Sequence, residues 1–301
     1  MRIVYFGTAP FAVPALRALA ASVALVVTQP DRPSGRGMRL QPSPVKRTAL
    51  ELGLRVGTPE RCRDPSFLDK LREIRPCALL VAAYGQILPQ AALDSARRGG
   101  INLHGSILPF YRGPAPVQRT ILAGETETGV SLMQMDQGMD AGDVIAVERT
   151  PIGPDETAGE LAARLAGIAA RMAAEWMPRI AEGDYPRAPQ DSSRASLAPK
   201  VLKGEARLDP AGPGMEAYRR FRAFTPSPGA FLDLPDGPLK VLEARLEPAE
   251  GPPGAWLAVA PAPLLAFAGG ALRLLRVQPA GRRAVSGADW ANGARLRPAS
   301  G

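Results

Sequence analysis

The sequence predicts an α/β protein, a parallel sheet with helices between its strands, followed by a small β-barrel. Three observations carry this expectation. Short β-rich runs alternate with helical spacing as far as residue 185, the pattern of a parallel sheet with right-handed crossovers. Pro186 to Pro199 is polar and turn-rich, and beyond it strand-like pieces separated by Pro and Gly turns have the spacing of a small barrel. The length of 301 residues, at roughly 100–200 per domain, is enough for two cores. The expected division is a domain over 1–185, a linker over 186–203 and a barrel over 204–301.

Each element has its own local reason. Arg2 to Phe6 is a β-rich run ending at Gly7, and Pro10 to Ala21 has helical spacing with Pro14 in its first turn. Val23 to Thr28 is a second apolar run, so the chain opens β-α-β. Gln29 to Pro44 is rich in Pro and Gly and carries Arg32, Arg36 and Arg39, with Lys46 just beyond. Loops of that length in a compact domain are usually functional or mobile. A helix near Val45–Leu52, a strand near Arg55–Thr58, a helix near Pro65–Ile74 and the run Ala78–Ala83 follow. After a helical patch from Pro89 to Arg97, the strand Gly100–Leu103 delivers His104. Val130–Met135 and Val144–Glu148 flank the turn Asp136–Asp143 as paired strands. Thr157–Ala181 is a long Ala-rich helix with Thr157 and Glu160 in capping-box spacing. Ala230–Leu234, Lys240–Ala244, Trp256–Ala260 and Leu272–Gln278 read as the barrel strands.

Composition narrows the function. The 46% hydrophobic and 22% charged fractions exclude disordered and collagen-like chains. One histidine and two cysteines, Cys62 and Cys77, exclude a zinc site of several His and Cys ligands and a disulfide framework, and both thiols are expected to be ordinary buried groups of a reducing cytoplasm. The N-terminal run is broken by Gly7, Pro10 and Pro14, unlike a signal peptide. The uncharged stretch between Glu250 and Arg273 is broken by Pro261, Pro263, Gly269 and Gly270, so it reads as strands and not as a membrane span. A cytoplasmic protein with no membrane partner is expected. Of the 37 basic residues all but five are arginine, and the net charge is +8. Residues 1–195 carry +3 and residues 196–301 carry +5. A codon bias would give such a composition, yet the basic final third would also attract a polyanion.

The candidate chemistry gathers around the sole histidine. Ligands of an open parallel sheet bind beyond the C-terminal ends of its strands. Asn102 and His104 stand at such an end, two apart and on one side of the strand. An amide donor beside an imidazole can stabilise an oxyanion and move a proton in acyl transfer. One carboxylate of Asp136, Asp140 or Asp143 folding back would fix the tautomer of His104. From spacing alone, a histidine that merely caps its strand is the favoured alternative. No G-x-G-x-x-G, P-loop, G-x-S-x-G or EF-hand pattern is present.

Two runs go further. Asn102-Leu103-His104-Gly105-Ser106-Ile107-Leu108-Pro109 resembles the N-x-H-x-S-L-L-P signature of the folate-dependent formyltransferases, and Gln134-Met135-Asp136-x-Gly138-Met139-Asp140-x-Gly142-Asp143 resembles the segment with their catalytic aspartate. Thr28–Gly37, Pro42-Ser43-Pro44-Val45-Lys46, Ala198-Pro199-Lys200, Glu205–Asp209 and Gln278–Arg283 resemble members of that family that act on methionyl-tRNA. Ala9, Ile107 and Pro114 depart from the family pattern, and none lies in the trio Asn102, His104 and Asp140. The resemblance implies a Rossmann-like formyltransferase domain and an OB-like barrel, and transfer of the formyl group of N10-formyltetrahydrofolate to the α-amino group of methionine on initiator methionyl-tRNA. It implies Asn102, His104 and Asp140 as catalytic residues, with no metal. Ser106, Ile107, Leu108, Pro109, Tyr84, Gly85 and Ile87 are the implied folate contacts. Arg32, Arg36, Arg39, Lys46, Lys200, Lys203, Arg282 and Arg283 are the implied contacts to the tRNA acceptor stem. The enzyme is expected to act as a monomer.

Overall fold

The strand β1 (Ile3–Gly7) is buried at every position, as an uninterrupted apolar run is when a parallel sheet is covered on both faces. In this computed structural model, which describes residues 1–34 and 39–298, it is followed by α1 (Val13–Ala18), β2 (Val23–Val27), β3 (Arg32–Ser34), β4 (Arg39–Gln41), α2 (Pro44–Glu51), β5 (Val56–Gly57) and α3 (Pro65–Ile74). Next come β6 (Ala78–Ala82), α4 (Gln90–Leu93), β7 (Gly100–His104), α5 (Pro116–Ala123), β8 (Glu127–Gln134), β9 (Val144–Pro151) and α6 (Ala158–Glu182). Seven strands form one sheet in the order β5-β2-β1-β6-β7-β8-β9. Pairing is parallel from β5 to β7 and antiparallel for β8 and β9. The expected parallel sheet is therefore extended by an antiparallel pair, which the short turn between its strands permits.

Local signals explain most boundaries. Proline, which has no N–H to leave unpaired, stands in the first turn of α1, α2 and α3. The Ser43 hydroxyl caps α2 by accepting from Lys46 N–H at 2.9 Å. At the start of α6, Thr157 N–H donates to the Glu160 carboxylate at 2.9 Å and Glu160 N–H to the Thr157 hydroxyl at 3.4 Å. Three expectations change. Pro10 to Ala21 is not one helix, because Pro10 and Pro14 each start a separate piece, a 3-10 turn over Pro10–Ala12 and then α1. Pro89 to Arg97 is helical only over α4, since Arg97 and Arg98 N–H leave the helix to bond Pro76 and Cys77 carbonyls. The stretch from Gln29 to Pro44 is not wholly loop, for β3 and β4 pair within it.

The chain divides into two units, one of residues 1–116, 127–151 and 162–199, the other of 117–126, 152–161 and 200 onward. Phe6 lies in the first core with Phe67 and Tyr84 packed edge-on at 6.3 and 5.3 Å. Of residues 186–203, expected as a linker, 186–199 fall in this unit and 200–203 in the other. Ala188 and Val144 exchange backbone hydrogen bonds at 2.8 and 2.9 Å, and Arg112 does the same with Ser196 and Ala198. These bonds satisfy polar backbone that a free linker would leave to water.

In the second unit α7 (Gly214–Phe224) precedes β10 (Phe231–Leu234), β11 (Gly237–Glu247), β12 (Trp256–Ala258), β13 (Leu264–Phe267), β14 (Gly270–Pro279), β15 (Val285–Ser286) and α8 (Gly287–Gly293). The strands form an antiparallel sheet in the order β10-β11-β14-β13-β12, with β15 on β14. Among the described residues the ladder leaves β10 and β12 as its ends, so no strand pairing closes the expected barrel. Tyr218 and Phe221 of α7 pack with Leu232, Val241, Phe267 and Leu274. Among the described residues no helix is long and apolar enough to cross a membrane.

Candidate active site

The end of β7 carries Asn102 and His104, and β8 pairs alongside with Ser131 opposite His104. Running antiparallel, β8 leaves the sheet beside Ile101, at the start of β7, and the turn between β8 and β9 brings Asp140 back against Asn102. Gly142 makes the return possible, since a Cβ there would stand 2.0 Å from the Gln134 carbonyl oxygen. Of the three carboxylates left open by the sequence, only Asp140 folds back. Asp136 accepts from Gly138 N–H at 2.8 Å within the turn, and Asp143 pairs with Arg187 at 3.0 Å.

Asp140 joins the trio. Its Oδ1 accepts from Asn102 Nδ2 at 3.1 Å. Its Oδ2 accepts from Gly113 N–H at 2.9 Å and lies 3.5 Å from His104 Nδ1. The other ring nitrogen of His104, Nε2, is 2.9 Å from the Tyr111 carbonyl oxygen. Both ring nitrogens thus face oxygen acceptors, and an imidazolium donates to both. A neutral ring with its proton on Nε2 serves Tyr111 and turns a lone pair toward Asp140. The His104 side chain is 6% exposed and that of Asp140 18%, so Asp140 is the more open end of the pair.

Backbone strain gathers at the same place. Among the described residues five non-glycine residues have positive φ, and three border this site: Ala83 after β6 (φ 42), Tyr111 (φ 60) and Asp140 (φ 49). A left-handed conformation costs a non-glycine residue roughly 1–2 kcal/mol, and such residues concentrate where function requires a fixed geometry. Tyr111 is held by its N–H donating to the Ser196 hydroxyl at 2.9 Å.

The segment after His104 is built on Ser131, which is fully buried. Its hydroxyl donates to the Ser106 carbonyl at 2.7 Å and accepts from Leu108 N–H at 3.0 Å. Ser106 donates to the Phe110 carbonyl at 2.7 Å. Leu108 is buried, Ile107 and Pro109 are half-buried, and Gly85 and Ile87 are exposed. The Tyr84 ring is buried in the core with its hydroxyl 2.9 Å from Cys62 Sγ, and its carbonyl accepts from the Thr8 hydroxyl at 2.7 Å. Burial pushes both the Tyr84 hydroxyl and the Cys62 thiol above their ordinary values. Cys77, also expected buried, is only half-buried.

Arg32 and Arg39 line a cavity of about 660 Å³ together with Thr8, Gln29 and Arg47. Arg36 lies outside the described residues. Lys46 is not a free cation, because Asp31 pairs with it at 2.8 Å and fixes the loop stem on α2. In the other unit Lys200, Lys203, Arg282 and Arg283 are all exposed. Gly113, Ser131, Arg112 and Gln190 escaped the sequence reading. The Arg112-Gly113-Pro114 run offered a signal for two of them, while nothing local marks Ser131 or Gln190.

Residues 1–177 match the formyl transferase family and residues 200–295 match the formyl transferase C-terminal domain. The chain belongs to the formyl transferase family. Within it, the chain is 48% identical over 301 residues to the methionyl-tRNA formyltransferase of Thermus thermophilus, covering 99% of this chain and 98% of the relative. It is 44% identical over 302 residues to the protein of the same name from Myxococcus xanthus, covering 99% and 97%. The fold is similar to that of an N-formyltransferase from Helicobacter canadensis in complex with folinic acid and dTDP-3-aminofucose, with TM-score 0.70 and 17% identity over 91% of this chain and 98% of that one. This formyl transferase has, among its described residues, no group of three or more His, Cys, Asp or Glu side chains placed to hold a metal.

Proposed function

We propose that the protein transfers the formyl group of N10-formyltetrahydrofolate to the α-amino group of methionine on initiator methionyl-tRNA, acting as a monomer in the cytoplasm. The contact of Asp140 with both Asn102 and His104 carries this reading. The choice of amine is supported by the 48% identity that runs through both domains of a relative named for that substrate.

In the proposed reaction the methionine amine attacks the formyl carbon, the carbonyl oxygen becomes an oxyanion, and the bond to N10 of the folate breaks. The proton lost by the amine ends on N10, so the pair needs a group that takes it up and gives it back. Asp140, open at its edge and backed by His104, takes that proton directly or through one water. Asn102 spends one amide hydrogen on Asp140 and has the second for the oxyanion. His104 acts through its Nδ1 side, because the Tyr111 carbonyl occupies Nε2. Folate is held, in this reading, by the Ser106–Pro109 backbone and by Tyr84, Gly85 and Ile87. Arg32, Arg36 and Arg39, and in the second unit Lys200, Lys203, Arg282 and Arg283, supply positive charge to acceptor-stem phosphates.

The test mixes the protein with N10-formyltetrahydrofolate and methionyl-tRNA bearing initiator or elongator acceptor stems, and follows formylmethionine. Formylation of the initiator species supports the reading. No formylation of either, or faster turnover of an amino-sugar nucleotide under the same conditions, overturns it.

A further inference from the structure

We propose that Gln190, locked in place by Arg112, is a positioning residue that holds Asp140 against His104. The inference rests on the reaction assigned above, and it concerns a segment that the sequence marks only as a linker.

The Gln190 amide nitrogen donates twice, to the Asp140 carbonyl at 2.9 Å and to the Gly142 carbonyl at 2.7 Å. Its amide oxygen accepts twice from Arg112, from Nε at 3.0 Å and from a terminal guanidinium nitrogen at 2.8 Å. The orientation of the amide follows from chemistry. A guanidinium only donates and a backbone carbonyl only accepts, so the oxygen must face Arg112 and the nitrogen must face the turn. All four bonds are lost or inverted by any flip.

This clasp grips a residue that needs it. Asp140 sits at φ 49, a conformation that surrounding contacts must maintain. Gln190 fixes its carbonyl, and Gly113, the neighbour of Arg112, fixes its carboxylate at 2.9 Å. Arg112 is itself buried and has its backbone tied to Ser196 and Ala198. Arg112-Gly113 and Gln190 therefore hold Asp140 from both ends. Neither the Arg112 nor the Gln190 side chain bonds to Asn102 or His104, so their influence on the reaction passes through Asp140. A displacement of about 1 Å in a reacting group can cost on the order of 10²-fold in rate, and the 3.5 Å separation of Asp140 from His104 leaves that pair sensitive to small shifts.

The test uses Gln190→Glu, which keeps the acceptor for Arg112 but replaces both donors with oxygen facing two carbonyls, and Gln190→Met, which removes the amide at similar volume. The expected result is a fall in kcat of about tenfold or more, with KM for formyl-folate and for tRNA within about twofold of the parent. His104 is the only histidine, so its imidazole proton resonances are unambiguous, and they shift at fixed pH in both variants. A folded variant with parental kcat, or one whose imidazole resonances do not move, overturns the proposal. If Gln190→Glu fails to fold, Gln190→Met decides by the same two readings. If the parent formylates no methionyl-tRNA, the reaction reading falls, while the imidazole spectrum still tests the clasp.

Discussion

Replacing Asp140 by Asn separates chemistry from folding at this site. Asn tolerates a left-handed backbone better than other L residues except glycine, so φ 49 adds little strain. The electrostatics change sharply. The carboxylate receives Asn102 Nδ2 at 3.1 Å and Gly113 N–H at 2.9 Å, and it faces His104 Nδ1 at 3.5 Å. An amide offers one oxygen where the carboxylate offers two, so its NH₂ must point at Asn102 or at Gly113. One donor loses its acceptor, at a cost of about 1–3 kcal/mol for a buried group, and the 18% exposure of Asp140 places the loss at the low end. Against a folding stability of about 5–15 kcal/mol, the variant stays folded. The rate responds more strongly. Loss of the proton acceptor costs roughly 10²–10⁴-fold in kcat, or about 3–5 kcal/mol of barrier. Single-turnover formation of formylmethionyl-tRNA, quenched and resolved from the unformylated species, measures the rate, and thermal unfolding followed by circular dichroism measures the stability. An Asp140→Asn protein that turns over within about threefold of the parent would refute the role given to Asp140.

His104→Ala lowers kcat by at least about 10²-fold, measured in the same assay; since no second imidazole exists in the chain, near-parental turnover would remove His104 from the mechanism. Arg36→Ala impairs formylation of charged tRNA and leaves folate affinity intact, which fluorescence titration with the folate checks. Gly142→Ala forces a methyl group to within 2.0 Å of the Gln134 carbonyl; the turn must move, stability falls by at least about 2 kcal/mol in urea unfolding, and activity falls with it.

The sequence-legible features share a physical character. The apolar runs that became β1, β6 and β7, the limits of α3 at Pro65 and Ile74, and the Thr157–Glu160 cap each depend on neighbours within a few residues. The helix α7 was not read from the sequence, although Ala217, Tyr218, Phe221 and Phe224 recur at helical spacing and are buried together. The site divides differently. Asn102 and His104 share a side because they are two apart on one strand, a local fact. The choice of Asp140 over Asp136 and Asp143 depends on how a turn 36 residues downstream returns beside β7.

The sequence by itself determined the alternation of strands and helices, the sole imidazole at the end of a strand, and the resemblance that named a reaction. Those follow from local periodicity and from residue identity. Only the tertiary structure decided that Asp140 reaches both partners, that Lys46 is paired with Asp31, that the Tyr84 ring belongs to the core, and that Gln190 in the stretch 186–199 bonds the turn that carries Asp140. Each of these is a contact between positions 15 or more residues apart, fixed by strand register and by the need to satisfy buried polar groups. No periodicity in the chain encodes such contacts.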